Sequence, residues 1–254
     1  MTPSRRILGL LRRNAITRSV ILPILHGARW RMNPRYFRIY EKYRTFTMIS
    51  SDRFADNLWL CQKLVNQSGL VVECGVWRGG MSAGMAEVLG PARIYYLFDS
   101  FEGLPSADPE LDGKAAIGWQ ADTTSPHYFN NCRAEISFAE TAMQRSGVPD
   151  YRLVKGWYKD TLRAFKPPAS IAVLRLDCDW YEPTTQCLEA LYQHLLPGGL
   201  LLLDDYYTWD GCVRAVQDFL ARASLPERIR QSPHGIAYIV KGTSYFVKDQ
   251  ASYL

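Results

Sequence analysis

Short apolar runs separated by helical patterns constrain this chain more than any other feature. Strands are predicted at 70–73, 93–98, 151–154, 171–176 and 199–203. They are near-continuous apolar runs, as a strand shows when both faces of a parallel sheet are covered. Between them the spacing predicts helices at 52–67, 80–89, about 131–146, 159–165, 184–195 and 210–223. In the first of these Phe54, Leu58, Cys61, Leu64 and Val65 recur at the interval of an inward face. Alternation of this kind predicts an α/β fold with an open, doubly wound, mostly parallel sheet. The tail departs from the pattern. Gly235 to Lys241 and Thr243 to Lys248 read as consecutive strands, a hairpin forming an antiparallel edge. At 254 residues the chain suits one large domain with an appendage.

Two predicted strands end in acid. Arg175-Leu176-Asp177-Cys178-Asp179-Trp180-Tyr181 follows the run Ile171 to Leu174, and Asp204-Asp205-Tyr206-Tyr207 follows Leu200 to Leu203. Four carboxylates at the ends of buried strands are costly unless a cation neutralises them. A hard divalent ion such as Mg2+ meets that need, because it takes oxygen ligands and keeps several waters. Two duller readings stand beside it: Asp204 and Asp205 as caps of the next helix, and Asp177 and Asp179 as a solvated turn.

A second signal lies upstream. Val71-Val72-Glu73-Cys74-Gly75-Val76-Trp77-Arg78-Gly79-Gly80-Met81-Ser82 reads as strand, glycine turn and helix. It is not the phosphate-binding G-x-G-x-x-G, since Val76 and Trp77 stand where that turn needs small residues. An adenosyl ligand without phosphates fits better. The next strand ends in Asp99-Ser100-Phe101, and an acid there is placed to take both hydroxyls of a ribose. A long insertion follows, roughly Leu104 to Asn130, carrying Trp119, Asp122 and His127. Loops of this length inside a compact domain are usually functional or disordered, and this one is a candidate lid. Trp77 and Trp180 serve either packing or stacking, and His127 either solvent or function.

The six cysteines have no paired spacing and predict free thiols in a reducing compartment, hence a cytoplasmic protein. No apolar stretch approaches the roughly 20 residues that span a bilayer. Charge is uneven. Residues 1–50 hold eleven Lys and Arg against Glu41 alone, a charge of +10, which leaves −5 on the remainder of a chain whose total is +5. The chain therefore divides into a basic arm at 1–50 and a body at 51–254. Ile7, Leu8, Leu10 and Leu11 lie opposite Arg5, Arg6, Arg12 and Arg13 on a helical wheel. Such an arm can lie on an anionic membrane surface, dock on the body or a sister subunit in a homo-oligomer, or act as a targeting segment. No nucleic-acid partner is expected.

Four motifs in order, Glu73 to Gly80, Asp99-Ser100-Phe101-Glu102-Gly103-Leu104-Pro105, Val173 to Thr184, and Pro197-Gly198-Gly199 followed by Asp204-Asp205-Tyr206, resemble the macrocin O-methyltransferase family over about residues 45–225. That resemblance implies a Rossmann-like, class I methyltransferase sheet and metal-dependent transfer of a methyl group from S-adenosylmethionine to a sugar hydroxyl. The acceptor would be a glycosylated natural product or a lipid-linked glycan. It places Glu73, Gly75, Trp77, Gly79, Gly80 and Ser82 in the cofactor loop, and Asp99, Ser100 and Phe101 at the ribose. Asp177, Asp204 and Asp205 become metal ligands, Asp179 the general base, and His127 a residue near the acceptor. Cys178 stands where relatives often have glycine and is expected to crowd the acceptor pocket. One rival reading takes Asp177-Cys178-Asp179 as the Asp-x-Asp motif of a metal-dependent glycosyltransferase; it leaves Glu73, Asp99 and the second acidic pair unexplained.

Overall fold

The computed structural model describes residues 33–242. The amphipathic segment of the arm and the expected strand at 243–248 lie outside the described residues.

Seven strands form one sheet: β1 (Leu70–Cys74), β2 (Tyr95–Asp99), β3 (Tyr151–Lys155), β4 (Ile171–Leu176), β5 (Leu195–Leu203), β6 (Arg230–Gln231) and β7 (Ala237–Val240), in the order β3-β2-β1-β4-β5-β7-β6. The first five are parallel, and β7 runs antiparallel to both β5 and β6. The order reverses between β1 and β4, and ligands of open α/β sheets bind at such a switch point, outside the carboxyl ends of the strands.

Helices cover both faces. On one side lie α1 (Pro34–Tyr43), α2 (Ser51–Gln62), α3 (Gly80–Leu89) and α5 (Ile136–Ser146), packed on Val71, Leu97, Val173 and Leu202. On the other lie α6 (Tyr158–Ala164), α7 (Tyr181–Leu191) and α8 (Asp210–Arg222), packed on Val72, Phe98, Leu174 and Leu203. Adjacent strand residues thus feed opposite cores, the geometry behind the unbroken apolar runs. Residues 34–46, within the expected arm, pack onto the first core through Tyr36, Ile39, Tyr43 and Phe46. Pro34 opens α1, where its missing N–H is harmless, and the Asn33 side chain accepts from the Arg35 N–H at 3.1 Å.

Several elements differ from expectation; β5, for one, begins at Leu195 and takes the end of the helix expected over 184–195. The first helix stops at Gln62 and runs out through turns, because Ser68 and Gly69 must swing the chain into β1. The helix expected from 131 begins at Ile136; Phe129, Asn130, Asn131 and Cys132 instead form a left-handed turn with φ between 49° and 59°. The helix expected from 184 starts at Tyr181, with Pro183 in its first turn where proline is tolerated. Besides β5, β7 pairs with β6, a two-residue strand with no sequence signal of its own. The insertion is not plain loop: it contains α4 (Gly113–Ala121). All six cysteines are free.

Candidate active site

A cavity of about 310 Å³ opens at the carboxyl ends of β1, β2, β3 and β4. Gly75, Trp77, Asp99, Ser100, Asp177 and Asp179, all singled out in the sequence, line it. At Gly75 φ is 87°, and an added Cβ would sit 1.7 Å from the Asp177 carbonyl oxygen, so only glycine fits between β1 and β4 here. Trp77, Phe101 and Asp179 also adopt left-handed φ, at 49°, 55° and 57°. Non-glycine residues held this way near strand ends store local strain, as functional sites often do.

Asp99 is already heavily engaged. One oxygen accepts from the backbone N–H groups of Val76 and Trp77 at 2.7 and 2.8 Å, and the other from Phe101 at 2.7 Å. A carboxylate offers about four lone-pair sites, so roughly one remains, enough for one hydroxyl and not for both. Burial nevertheless raises its pKa. Gly156, Trp157 and Tyr158, at the end of β3, complete that wall and were missed in the sequence. Their sequence signal is weak, an aromatic pair after a glycine, and the sheet order brings it to this wall.

Other expected cofactor residues lie behind the cavity wall. Gly79 and Gly80 shape the entry to α3, Gly80 packed against the Phe46 backbone and Gly79 against Ala139. Ser82 donates to Glu73, and Phe101 is buried. His127 is exposed and away from the cavity lining, with its carbonyl accepting from Trp119 Nε1 at 3.0 Å. The Cys178 thiol turns into the core, 3.8 Å from Cys187 Sγ and 3.9 Å from the Tyr158 hydroxyl.

The acidic cluster forms beside the cavity. One ligand oxygen from each of Asp177, Asp204 and Asp205 lies within 4.8 Å of the others. Neither dull reading fits these positions. Asp204 and Asp205 are buried and give α8 no side-chain cap, while Asp177 and Asp179 are only partly exposed. Arg175 stands at the centre, fully buried. Its Nη1 donates to Glu73 at 2.6 Å and to Asp177 at 2.9 Å, and its Nη2 to Asp204 at 2.7 Å. Glu73, Arg175 and Asp177 meet because side chains two apart along a strand share a face and Glu73 sits opposite Arg175 in register. Arg53 on α2 adds a second contact to Asp204 at 3.2 Å.

Two guanidinium groups do not neutralise five carboxylates. Burial pushes Glu73 up to about 7 against the pull of Arg175. Burial, then Asp177, pushes Asp179 up to about 8. Asp177 and Asp205 are raised as well, first by burial. Arg175 takes Asp177 Oδ2 and the Asp179 N–H takes Asp205 Oδ2 at 3.0 Å, so Asp177 and Asp205 each keep a second oxygen for a ligand, while Asp204 shares both of its oxygens with guanidinium groups. A compact set of carboxylate oxygens with surplus negative charge fits a hard divalent cation.

A model of the family described as Macrocin-O-methyltransferase (TylF) matches residues 41–238. The chain belongs to the macrocin O-methyltransferase family. Among curated proteins, the 8-demethyl-8-(2,3-dimethoxy-alpha-L-rhamnosyl)-tetracenomycin-C 4'-O-methyltransferase of Streptomyces olivaceus is 34% identical over 219 residues, covering 81% of this chain and 76% of its own. Demethyldecarbamoylnovobiocin O-methyltransferase of Streptomyces niveus is 31% identical over 197 residues, with 72% and 71% covered. Of solved structures, the O-methyltransferase NovP superimposes with a TM-score of 0.63 at 27% identity over 77% of this chain and 81% of that one. The protein is an O-methyltransferase with the class I sheet. The glycosyltransferase alternative finds no support in these likenesses.

Proposed function

We propose that this macrocin O-methyltransferase family member transfers the methyl group of S-adenosylmethionine to a sugar hydroxyl of a glycosylated small molecule, with a divalent cation held by Asp177, Asp204 and Asp205. One observation carries the reading: Asp177 both lines the cavity and belongs to the acidic cluster, which makes donor pocket and ion site neighbours. The names of the relatives support the acceptor class, since one acts on a rhamnosyl tetracenomycin and another on a novobiocin precursor. They favour a natural product over a lipid-linked glycan.

Bound S-adenosylmethionine supplies an electrophilic methyl, and the cation supplies charge that favours an ionised acceptor hydroxyl. The chain does the rest. Gly75 and Trp77 form the floor against which the donor lies, Asp99 takes one ribose hydroxyl, and Trp157 and Tyr158 close the far wall. Asp179, raised towards neutrality and lining the same cavity, accepts the acceptor's proton. The insertion shields the site from water: Leu104 and Pro105 line the cavity, and Pro105 accepts from Trp180 Nε1 at 3.1 Å. A methyl-transfer assay on a panel of glycosylated antibiotics, run with and without chelator, tests this. Transfer is expected to vanish with chelator and return with Mg2+; full activity in chelator removes the ion from the reading.

A further inference from the structure

We infer that Arg175 is a positioning residue that ties Glu73, on the donor strand, to Asp177 and Asp204, and thereby holds the ion ligands in place although it touches neither ion nor substrate. The inference rests on the ion reading above. Its ground is the geometry of one side chain. Arg175 is wholly buried in β4, where the neighbouring positions Leu174 and Leu176 are apolar core. It contacts carboxylates from three adjacent strands, and its Nε faces the Asn57 amide oxygen of α2 at 3.4 Å. Asn57 in turn donates to the Arg53 carbonyl at 3.0 Å, and Arg53 reaches Asp204. Ser82 at the start of α3 closes the other end by donating to Glu73.

The arrangement does two things at once. The guanidinium keeps the buried Glu73 and Asp204 and the partly exposed Asp177 from repelling one another across the strand ends. The planar fork also fixes where their oxygens lie. A lysine carries the same charge but presents it as a compact point on a flexible stem, so it cannot serve three acids at defined angles. Charge and geometry therefore separate in experiment. If Arg175 only neutralised charge, lysine would replace it. If it were merely a competitor for the carboxylates, weakening its hold would tighten ion binding.

Mn2+ binding by the full-length protein, followed by electron paramagnetic resonance at fixed pH, reads this without turnover. Arg175→Lys is expected to bind Mn2+ about tenfold more weakly than wild type. Glu73→Gln, which alters an acid outside the ion ligand set, is expected to weaken it about threefold to tenfold, and it serves alone if the lysine variant does not fold. Equal or tighter Mn2+ binding in folded variants overturns the positioning role while leaving the ion site standing. A wild-type protein that binds no Mn2+ at millimolar concentration overturns the ion reading itself, and this inference with it.

Discussion

At the scale of single residues, the surroundings of Asp179 support its proposed role as base. Its backbone is held at φ 57°, its N–H is committed to Asp205, and burial pushes its carboxyl up to about 8. Asp179→Asn preserves shape and removes the proton acceptor. It is expected to lower kcat by about 10²- to 10⁴-fold, the usual yield of general base catalysis. S-adenosylhomocysteine affinity by calorimetry should stay within about twofold. A kcat near wild type would assign the proton to another group. The acids were legible in the sequence because each interrupts an apolar run, where an unpaired charge has no cheap explanation. The partial answer to that charge was also in the sequence, one turn of the pleat away at Arg175, yet nothing in a linear reading shows that Glu73 and Asp204 converge on it from neighbouring strands. Trp157 was missed for a similar reason: aromatic residues after a strand are common, and only the sheet order brings this one to the cavity.

At the scale of elements, the insertion is anchored more firmly than its polar composition suggests. Asp112 accepts from the Tyr181 N–H at 2.7 Å and so caps the start of α7, while Gly211 leaves it room, since a Cβ there would lie 2.0 Å from its oxygen. Trp119 of α4 meets Trp180 and Trp209 edge-to-face, with ring centroids 6.1 Å apart in each case. Trp180 directly follows Asp179 in the chain, so the insertion docks beside the proposed base. Removing one ring costs about 0.5–1.5 kcal/mol for each aromatic pair lost. Trp119→Ala should therefore speed hydrogen exchange across 104–130 and raise the acceptor KM, with little change in β1 and β4. Exchange unchanged in the insertion would show that hydrogen bonds such as those of Asp112 and Pro105 hold it without the ring contacts. The sheet was readable because buried parallel strands write themselves as apolar runs. By contrast, α4 holds two glycines and buries only Ala116, so it has no periodic face to read. The left-handed turn at 129–132 was equally hidden, because only its two asparagines favour that conformation.

At the scale of the whole molecule, the acidic cluster should govern how stability responds to pH. Glu73 is pushed up to about 7 and Asp179 to about 8, while Asp99, Asp177 and Asp205 are raised too. In each case the folded state holds the proton more tightly than the unfolded chain, whose carboxyls titrate near their ordinary values of about 4. The sign follows from linkage: this stabilisation is complete below about pH 4 and is lost as pH rises through 7 to 8. Metal-free protein should then unfold at a lower temperature at pH 8 than at pH 5.5. A divalent cation that binds only the folded state acts in the opposite sense, and most strongly where the acids are ionised. At a hundredfold excess over its Kd it adds about 2.7 kcal/mol. For a domain of this size that amounts to roughly 5–10 °C in Tm. Calorimetry at the two pH values, with chelator and with Mn2+, should therefore give the lowest Tm to metal-free protein at pH 8 and a Mn2+ increment concentrated at pH 8. Asp205→Asn should shrink that increment and narrow the gap between the metal-free values, since it removes one ligand and one of the repelling charges together. An increment equal at both pH values would mean that the ion binds somewhere other than among these acids.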